Sequence, residues 1–297
     1  MKPETETAWH AGRLGSSSGP HRLLFGRMYE DAEIERAVFQ GKGRAFCIAS
    51  AGDTALRLAE EHEVVACDIN PVQLAYAERR ASGGPQETGD AERVMNFARA
   101  FMPLIGWQAK VVHAFLALSD VDEQMTFWRN HLDTRRFRAG FDTLMSAPIL
   151  RVMYARQFLS FLPSRFGAVL RKRLERGFFR HPNAANPYAR ALLLGETSEN
   201  SRRGVSNIRF VLGDAASWLE SCPARFFDGF TLSNILDGAE PAYRARLMRA
   251  VRRASTEEAI IVSRSFAEPP QEFESNLAKC DRSMLWGVVD VRSAHAY

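Results

Sequence analysis

Four short segments carry residue types suited to gripping a ligand: Ser50-Ala51-Gly52-Asp53, Asp68 with Asn70 and Gln73, Gly213-Asp214-Ala215, and Ser233-Asn234. Each follows a short apolar run. Glycine in such a turn lets the main chain approach a ligand closely, and a helix that opens there offers free N–H groups to a carboxylate. Asp68 lies sixteen residues after Gly52, where an acidic side chain can hold both hydroxyls of a ribose. Asp214 can accept a hydrogen bond from an adenine amino group, and Ser233-Asn234 would face the reacting end of the ligand. Each segment alone also fits a plain turn or helix cap; their order along the chain is what points to a nucleoside.

The elements that must position them alternate. Ala45 to Ala49 reads as a strand, Thr54 to Ala59 as a helix, Val64 to Cys67 as a strand, and Pro71 to Arg80 as a helix with Asn70 as its cap. The alternation resumes with strands at Ile208 to Leu212, Phe227 to Leu232 and Ala259 to Ser263, and helices at Ala216 to Ser221 and Ala242 to Ala254. Strand, helix, strand order predicts a doubly wound α/β sheet, whose ligands sit beyond the carboxyl ends of the strands. The pyrophosphate fingerprint G-x-G-x-x-G is absent, so a cofactor of the S-adenosylmethionine kind fits better than a dinucleotide.

About 125 residues separate the two halves of this pattern, far more than a connection needs. Gly83 to Gly89 reads as a loop, and Ala91 to Leu104, Val111 to Leu118, Val121 to Leu132, Phe141 to Leu162 and Phe166 to Gly177 as helices. The expected organisation is a flexible tail over 1–21, a cofactor domain built from 22–80 and 205–297, and a helical insertion over 81–204 that binds the acceptor. With 297 residues, 46% of them hydrophobic and 25% charged, the chain has the balance of a globular protein. A net charge of +4 argues against nucleic acid. The excess is local: Lys110 to Arg190 holds fourteen Lys and Arg against six Asp and Glu. Within it, Arg165 to Arg180 admits three roles: a solvated face, a basic helix lying on anionic lipid, or a guide for an acidic small molecule. Cys47, Cys67, Cys222 and Cys280 lack metal or disulfide spacing, and the reading is a cytoplasmic protein with no metal, no secretory signal and no transmembrane segment.

Leu24 to Phe39 (LFGRMYEDAEIERAVF), Cys47 to Thr54 (CIASAGDT), Val65 to Leu74 (VACDINPVQL) and Asp281 to Gly287 (DRSMLWG) resemble the S-adenosylmethionine:diacylglycerol 3-amino-3-carboxypropyltransferases of betaine-lipid synthesis and their relatives. The likeness runs from about residue 22 over most of the chain, and SAGDT followed by DINPVQL is its specific part. It implies a Rossmann-like fold of the class I S-adenosylmethionine-dependent transferases, and transfer of the aminocarboxypropyl group instead of the methyl. The lipid enzymes are typically longer, and the size here is similar to that of the nocardicin-pathway transferase, which alkylates a phenol. The expected acceptor is therefore a small-molecule hydroxyl, with diacylglycerol and peripheral lipid contact as the alternative and a small-molecule methyltransferase as another.

The leaving group of such a transfer is a neutral thioether that needs no acid, whereas a hydroxyl nucleophile benefits from a base. Candidates for the base are Tyr29, Asp31, His113, Asp237 and Tyr243. Asp237 and Tyr243 follow the fourth strand, though each also suits a turn or a packing role, and His113 in VVHAFLAL also suits a core histidine. Arg27 and Arg264 are candidates to grip a carboxylate of cofactor or acceptor, since a guanidinium can donate two parallel hydrogen bonds; surface solvation is the competing role for both.

Overall fold

The computed structural model describes residues 7, 9–15, 19–39, 41, 43–154, 156–196, 206–270 and 276–296. Six strands form one sheet: β1 (Arg44–Ile48), β2 (Glu63–Asp68), β3 (Ile208–Leu212), β4 (Phe227–Thr231), β5 (Ser255–Ser265) and β6 (Val288–Ser293). Their order is β3-β2-β1-β4-β5-β6, parallel except for β6, which runs antiparallel to β5. Register is fixed by side chains alternating between two buried faces. On β1, Ala45 and Cys47 point to one apolar layer and Phe46 to the other, and β2 repeats this with Val64 and Ala66 against Val65 and Cys67. Buried on both sides, these strands read as unbroken apolar runs, which is why they were visible in the sequence.

One layer is covered by α1 (Glu33–Val38), α2 (Asp53–Leu58) and α3 (Pro71–Ala81), the other by α12 (Ala215–Ser221) and α13 (Pro241–Ala254). Gly229 on β4 is needed here, because a Cβ would stand 2.8 Å from the Phe39 ring. The sequence reading missed α1 and β6, and β5 is longer than expected at both ends. The pattern of β6, VVDVRS, is short and follows two turns, so it carries little periodicity to detect.

Between α3 and β3 lie α4 (Asp90–Ala100), α5 (Ala109–Leu116), α6 (Val121–Phe127) continued by a π-helical turn at Trp128–Leu132, α7 (Arg135–Leu144), α8 (Ala147–Met153), α9 (Arg156–Leu159), α10 (Phe166–Arg180) and α11 (Pro187–Leu194). The expected helix over 141–162 is broken. Ser146 and Pro148 begin a new helix, since a proline inside a continuous one would remove an N–H and clash with the preceding turn. The basic DTRRFR stretch becomes the capped start of α7, with Thr134 Oγ1 accepting from Phe137 N. An unexpected helix, α11, carries its own signal: Asn186 as cap and Pro187 in the first turn. The expected boundary at 204–205 lies outside the described residues. These helices share an aromatic core in which Trp107, Phe115, Trp128, Phe137 and Phe178 contact one another edge-on, stacked or tilted.

The described part of 1–21 corrects the expectation of a loose tail. Thr7 and Leu14 are buried, and the Trp9 ring packs edge-on against Phe158 at 4.8 Å and lies 6.2 Å from Phe25. Residues 1–6, 8 and 16–18 of that tail lie outside the described residues.

The segment Asp281–Gly287 joins the two units. Met284 inserts into the helical core against Gly177, where any Cβ would collide with it, and Trp286 Nε1 donates to Tyr29 O. From α10, buried Arg173 donates to the carbonyls of Leu285, Phe266 and Ala267, and Arg176 donates to Trp286 O. One edge of the basic helix thus serves as an anchor, while Arg165, Lys172, Phe179 and Arg180 are exposed over a packed face that includes Leu170, Leu174 and Phe178. Arg173→Met should cost about 3 kcal/mol, because it leaves buried carbonyls without donors; a denaturant midpoint that falls at unchanged m value is the expected result, and an unchanged midpoint would mean that the joint is held elsewhere.

Candidate functional site

Strand order reverses between β1 and β4, and the loops after the two strands part there to leave a cleft. It encloses about 670 Å³ of space, part of it open to solvent. Of the residues expected to bind a cofactor, Ser50, Asp68, Asn70, Gln73, Gly213, Asp214, Ala215, Ser233 and Asn234 line it. Ala51, Gly52 and Asp53 do not. Thr7, Trp9, Leu24, Phe25, Ile48, Cys67, Ile69 and Ile235 complete the wall.

Asp68, at the end of β2, ties two turns together. Its Oδ2 accepts from Ser50 N and its Oδ1 from Asn70 N, each at 2.9 Å. Burial pushes its carboxyl up to about 6 despite these donors. Each oxygen keeps a further lone pair, so the carboxylate can still receive vicinal hydroxyls. Ser50 holds a left-handed φ of 43° and Gly52 one of 87°. At Gly52 that conformation is one L side chains rarely adopt, and a Cβ would in addition lie 3.3 Å from Ala77.

Asn70 and Gln73 position the cleft wall. Asn70 Oδ1 accepts from Val72 N and its Nδ2 donates to Arg22 O, while Gln73 Oε1 accepts from Leu24 N and Phe25 N and its Nε2 donates to Phe25 O. Two amide side chains, one capping α3 and one in its first turn, therefore hold the extended segment 22–25 across the mouth. Asp53 continues the job below, accepting from Met28 N at 2.7 Å and pairing with Arg80.

At the end of β3, Asp214 caps α12 by accepting from Ser217 N and Oγ, and its other oxygen accepts from the Tyr243 hydroxyl at 2.6 Å. Tyr243 lines the cleft but cannot serve as the expected base. Burial and the carboxylate it donates to raise its phenol far above the ordinary range.

Other base candidates are also placed elsewhere. His113 is exposed on α5 in the helical insertion, neither in the core nor at the cleft. Asp237 is buried behind the cleft, accepting from Ser265 Oγ and Phe266 N, and so fastens the β4 loop to β5. Asp31 is held by a two-pronged pair with Arg282. Tyr29 is buried away from the cleft lining, its hydroxyl has no acceptor among the described residues, and burial pushes it up to about 12. Arg27 lies 5.9 Å from that ring and donates to Glu196 O.

Arg264 corrects the sequence reading most sharply. Expected to reach for a substrate carboxylate, it is fully enclosed and meets the protein's own: both terminal nitrogens donate to Glu35, Nη1 also lies 3.5 Å from Glu30 and Nε 3.4 Å from Asp281. Its position just inside the last parallel strand, and not at its tip, is what buries it. Glu30, which the sequence reading passed over between Tyr29 and Asp31, accepts from Ser233 Oγ at the cleft wall. Burial pushes its carboxyl up to about 7, against the pull of Arg264. Only tertiary contact reveals this, since nothing local distinguishes Glu30 from its acidic neighbours.

No protein-family model, curated protein or solved structure matches the chain. Among the described residues no helix is long and apolar enough to cross a membrane.

Removing the one cation from the buried cluster leaves three acidic groups facing each other. Arg264→Ala should cost about 3–5 kcal/mol, read as a drop in unfolding free energy; a stability within about 1 kcal/mol of the parent chain would show that the carboxyls are already neutral there.

Proposed function

We propose that the cleft binds S-adenosylmethionine, and that the protein transfers its 3-amino-3-carboxypropyl group to a hydroxyl of a small molecule, releasing methylthioadenosine. The observation that carries the reading is the convergence of four separate strand ends at the reversal of strand order, each bringing the residue type a nucleoside requires: Ser50, Asp68, Asp214 and Ser233. The strand order and the cleft are compatible with the Rossmann-like fold of class I S-adenosylmethionine-dependent transferases.

In this reading Asp68 receives the ribose hydroxyls on the lone pairs that Ser50 N and Asn70 N leave open. Asp214 and the apolar Ile235 border the place for the base, and Leu24, Phe25 and Trp9 close over it. The bound sulfonium supplies an electrophilic carbon and a neutral leaving group. Which of its carbons reacts is a matter of which faces the acceptor in line. The choice of the aminocarboxypropyl carbon rests on the resemblance of SAGDT, DINPVQL and DRSMLWG to transferases of that chemistry.

One surface favours a second acceptor, diacylglycerol. Phe97 and Phe101 on and after α4 stack edge-on at 5.0 Å, and they and Leu104 are exposed on the helical insertion. An apolar edge of this kind suits a lipid surface. Product formation only with vesicles present, and binding to those vesicles that Phe97→Ser weakens, would decide for the lipid; turnover of soluble phenols without vesicles decides against it.

Incubating the protein with S-adenosylmethionine and a cell extract should yield methylthioadenosine by mass spectrometry. S-Adenosylhomocysteine as the only nucleoside product would instead make it a methyltransferase. Asp68→Asn should weaken S-adenosylmethionine binding about 100-fold, the worth of two hydrogen bonds to a charged group, measured by calorimetry with the melting temperature as a control for folding. Because Asp68 must be ionised to receive the hydroxyls and its carboxyl sits near 6, affinity should fall as pH drops below 6, by up to about tenfold per pH unit. A flat profile between pH 5 and about 8 would place the ribose on another group.

A further inference from the structure

The cleft needs somewhere to put a proton, and its own acidic walls are poorly suited to take one. Asp68 is loaded with two main-chain N–H groups and Asp214 with a main-chain N–H and two hydroxyls. Among the described residues no histidine lines the cleft. Ser233 differs from the other lining residues. Its hydroxyl donates to Glu30, a carboxylate set directly behind the wall that accepts no main-chain N–H among the described contacts. Ser233, like Ser50, holds a left-handed φ, here 50°, and its bond to Glu30 holds its hydroxyl at the carboxylate.

On the reading that the protein transfers the aminocarboxypropyl group, we infer that Glu30 takes the acceptor's proton through the hydroxyl of Ser233. The acceptor oxygen gives its proton to Ser233 Oγ as Ser233 gives its own to Glu30 Oε1. The freed electron pair forms the new O–C bond, the C–S pair stays on sulfur, and methylthioadenosine leaves uncharged. The sulfonium loses its positive charge as the C–S electron pair returns to sulfur, and the acceptor's proton neutralises the Glu30 carboxylate, so that the net charge is unchanged.

The surroundings of Glu30 suit the role. Arg264 from β5 is shared with Glu35 from α1 and Asp281 from the C-terminal segment, so Glu30 competes for one cation with two other acidic groups. Glu35 also accepts from Thr231 and keeps the shorter contacts to the guanidinium. The Glu30 carboxyl, pushed by burial up to about 7, matches the operating pH of a general base. Below that value Glu30 holds a proton and cannot accept another, so turnover should rise with pH around 7.

The test compares the parent protein, Glu30→Gln and Ser233→Ala, with S-adenosylmethionine and two soluble phenols, tyrosine and 4-hydroxyphenylacetate. Glu30→Gln should lower kcat about 100-fold or more, abolish the rise near pH 7, and leave the Kd for S-adenosylmethionine within about threefold. Ser233→Ala should lower kcat similarly while preserving the pairing of Glu30 with Arg264. It therefore decides the matter if Glu30→Gln fails to fold. A kcat within about fivefold of the parent in a folded variant, with the pH rise intact, sinks this inference alone. A parent protein that binds S-adenosylmethionine but releases no methylthioadenosine with either phenol, with vesicles of diacylglycerol or with a cell extract sinks the functional reading, and this inference with it.

Discussion

One buried guanidinium organises the molecule. Arg264 lies on β5 with its charge sealed from water, and desolvating a cation is tolerable only where counter-charges and hydrogen bonds surround it. The chain supplies three acidic groups from two segments: Glu30 and Glu35 from before β1, and Asp281 from before β6. The residues that satisfy the charge are thereby fixed in space. Segment 22–31 is drawn across the carboxyl ends of the strands and segment 281–287 along the helical insertion. A pair of well-packed leucines could have bound the same elements together, but it would have left no acidic side chain behind the cleft wall.

The helical insertion is oriented on the sheet by bonds to main-chain carbonyls as well as by apolar contact. Arg173 and Arg176 reach the carbonyls of 266–267 and 285–286, Asn186 Nδ2 reaches Arg282 O, and the Tyr188 hydroxyl reaches Glu30 O. Such bonds fix orientation closely, because each loses its value with a small displacement. Apolar contacts add to them: Met284, an unbranched side chain suited to filling an irregular gap, enters the aromatic core, and Ala91 and Phe158 pack with Leu24. Two of the cations that the sequence concentrates in this region, Arg173 and Arg176, are used inward as donors, while others, among them Arg135, Arg136, Arg165 and Arg180, are exposed.

What the sequence made legible follows a physical line. The α/β class, the five parallel strands and the turns at 50–53, 68–70, 213–215 and 233–234 were readable because buried strands and their caps leave local marks. Asn70 before Pro71 is such a mark, and it caps α3 as its type predicts. Roles that depend on which distant groups meet were not readable. Arg264 and Arg173 look like surface arginines in the sequence, and both are buried. Tyr243 was rightly placed near the cleft, yet its hydroxyl is spent on Asp214, a residue 29 positions away. Glu30 went unnoticed because its partner, Ser233, lies 203 residues on.

The pairing of β1 bears on how the chain is made. Ala45 on β1 pairs with Gly229 on β4, 184 residues later, while its other neighbour, β2, follows at once. At ribosomal rates of about 5–20 residues per second, one edge of the central strand waits roughly 10–40 s for its partner. During that wait the insertion can bury its aromatic rings within 107–193, but the gap that Met284 fills stays open. Neither unit is complete until residues 281–293 have emerged, so the two are expected to finish folding together, and a nascent chain halted before that point presents an open sheet edge to chaperones.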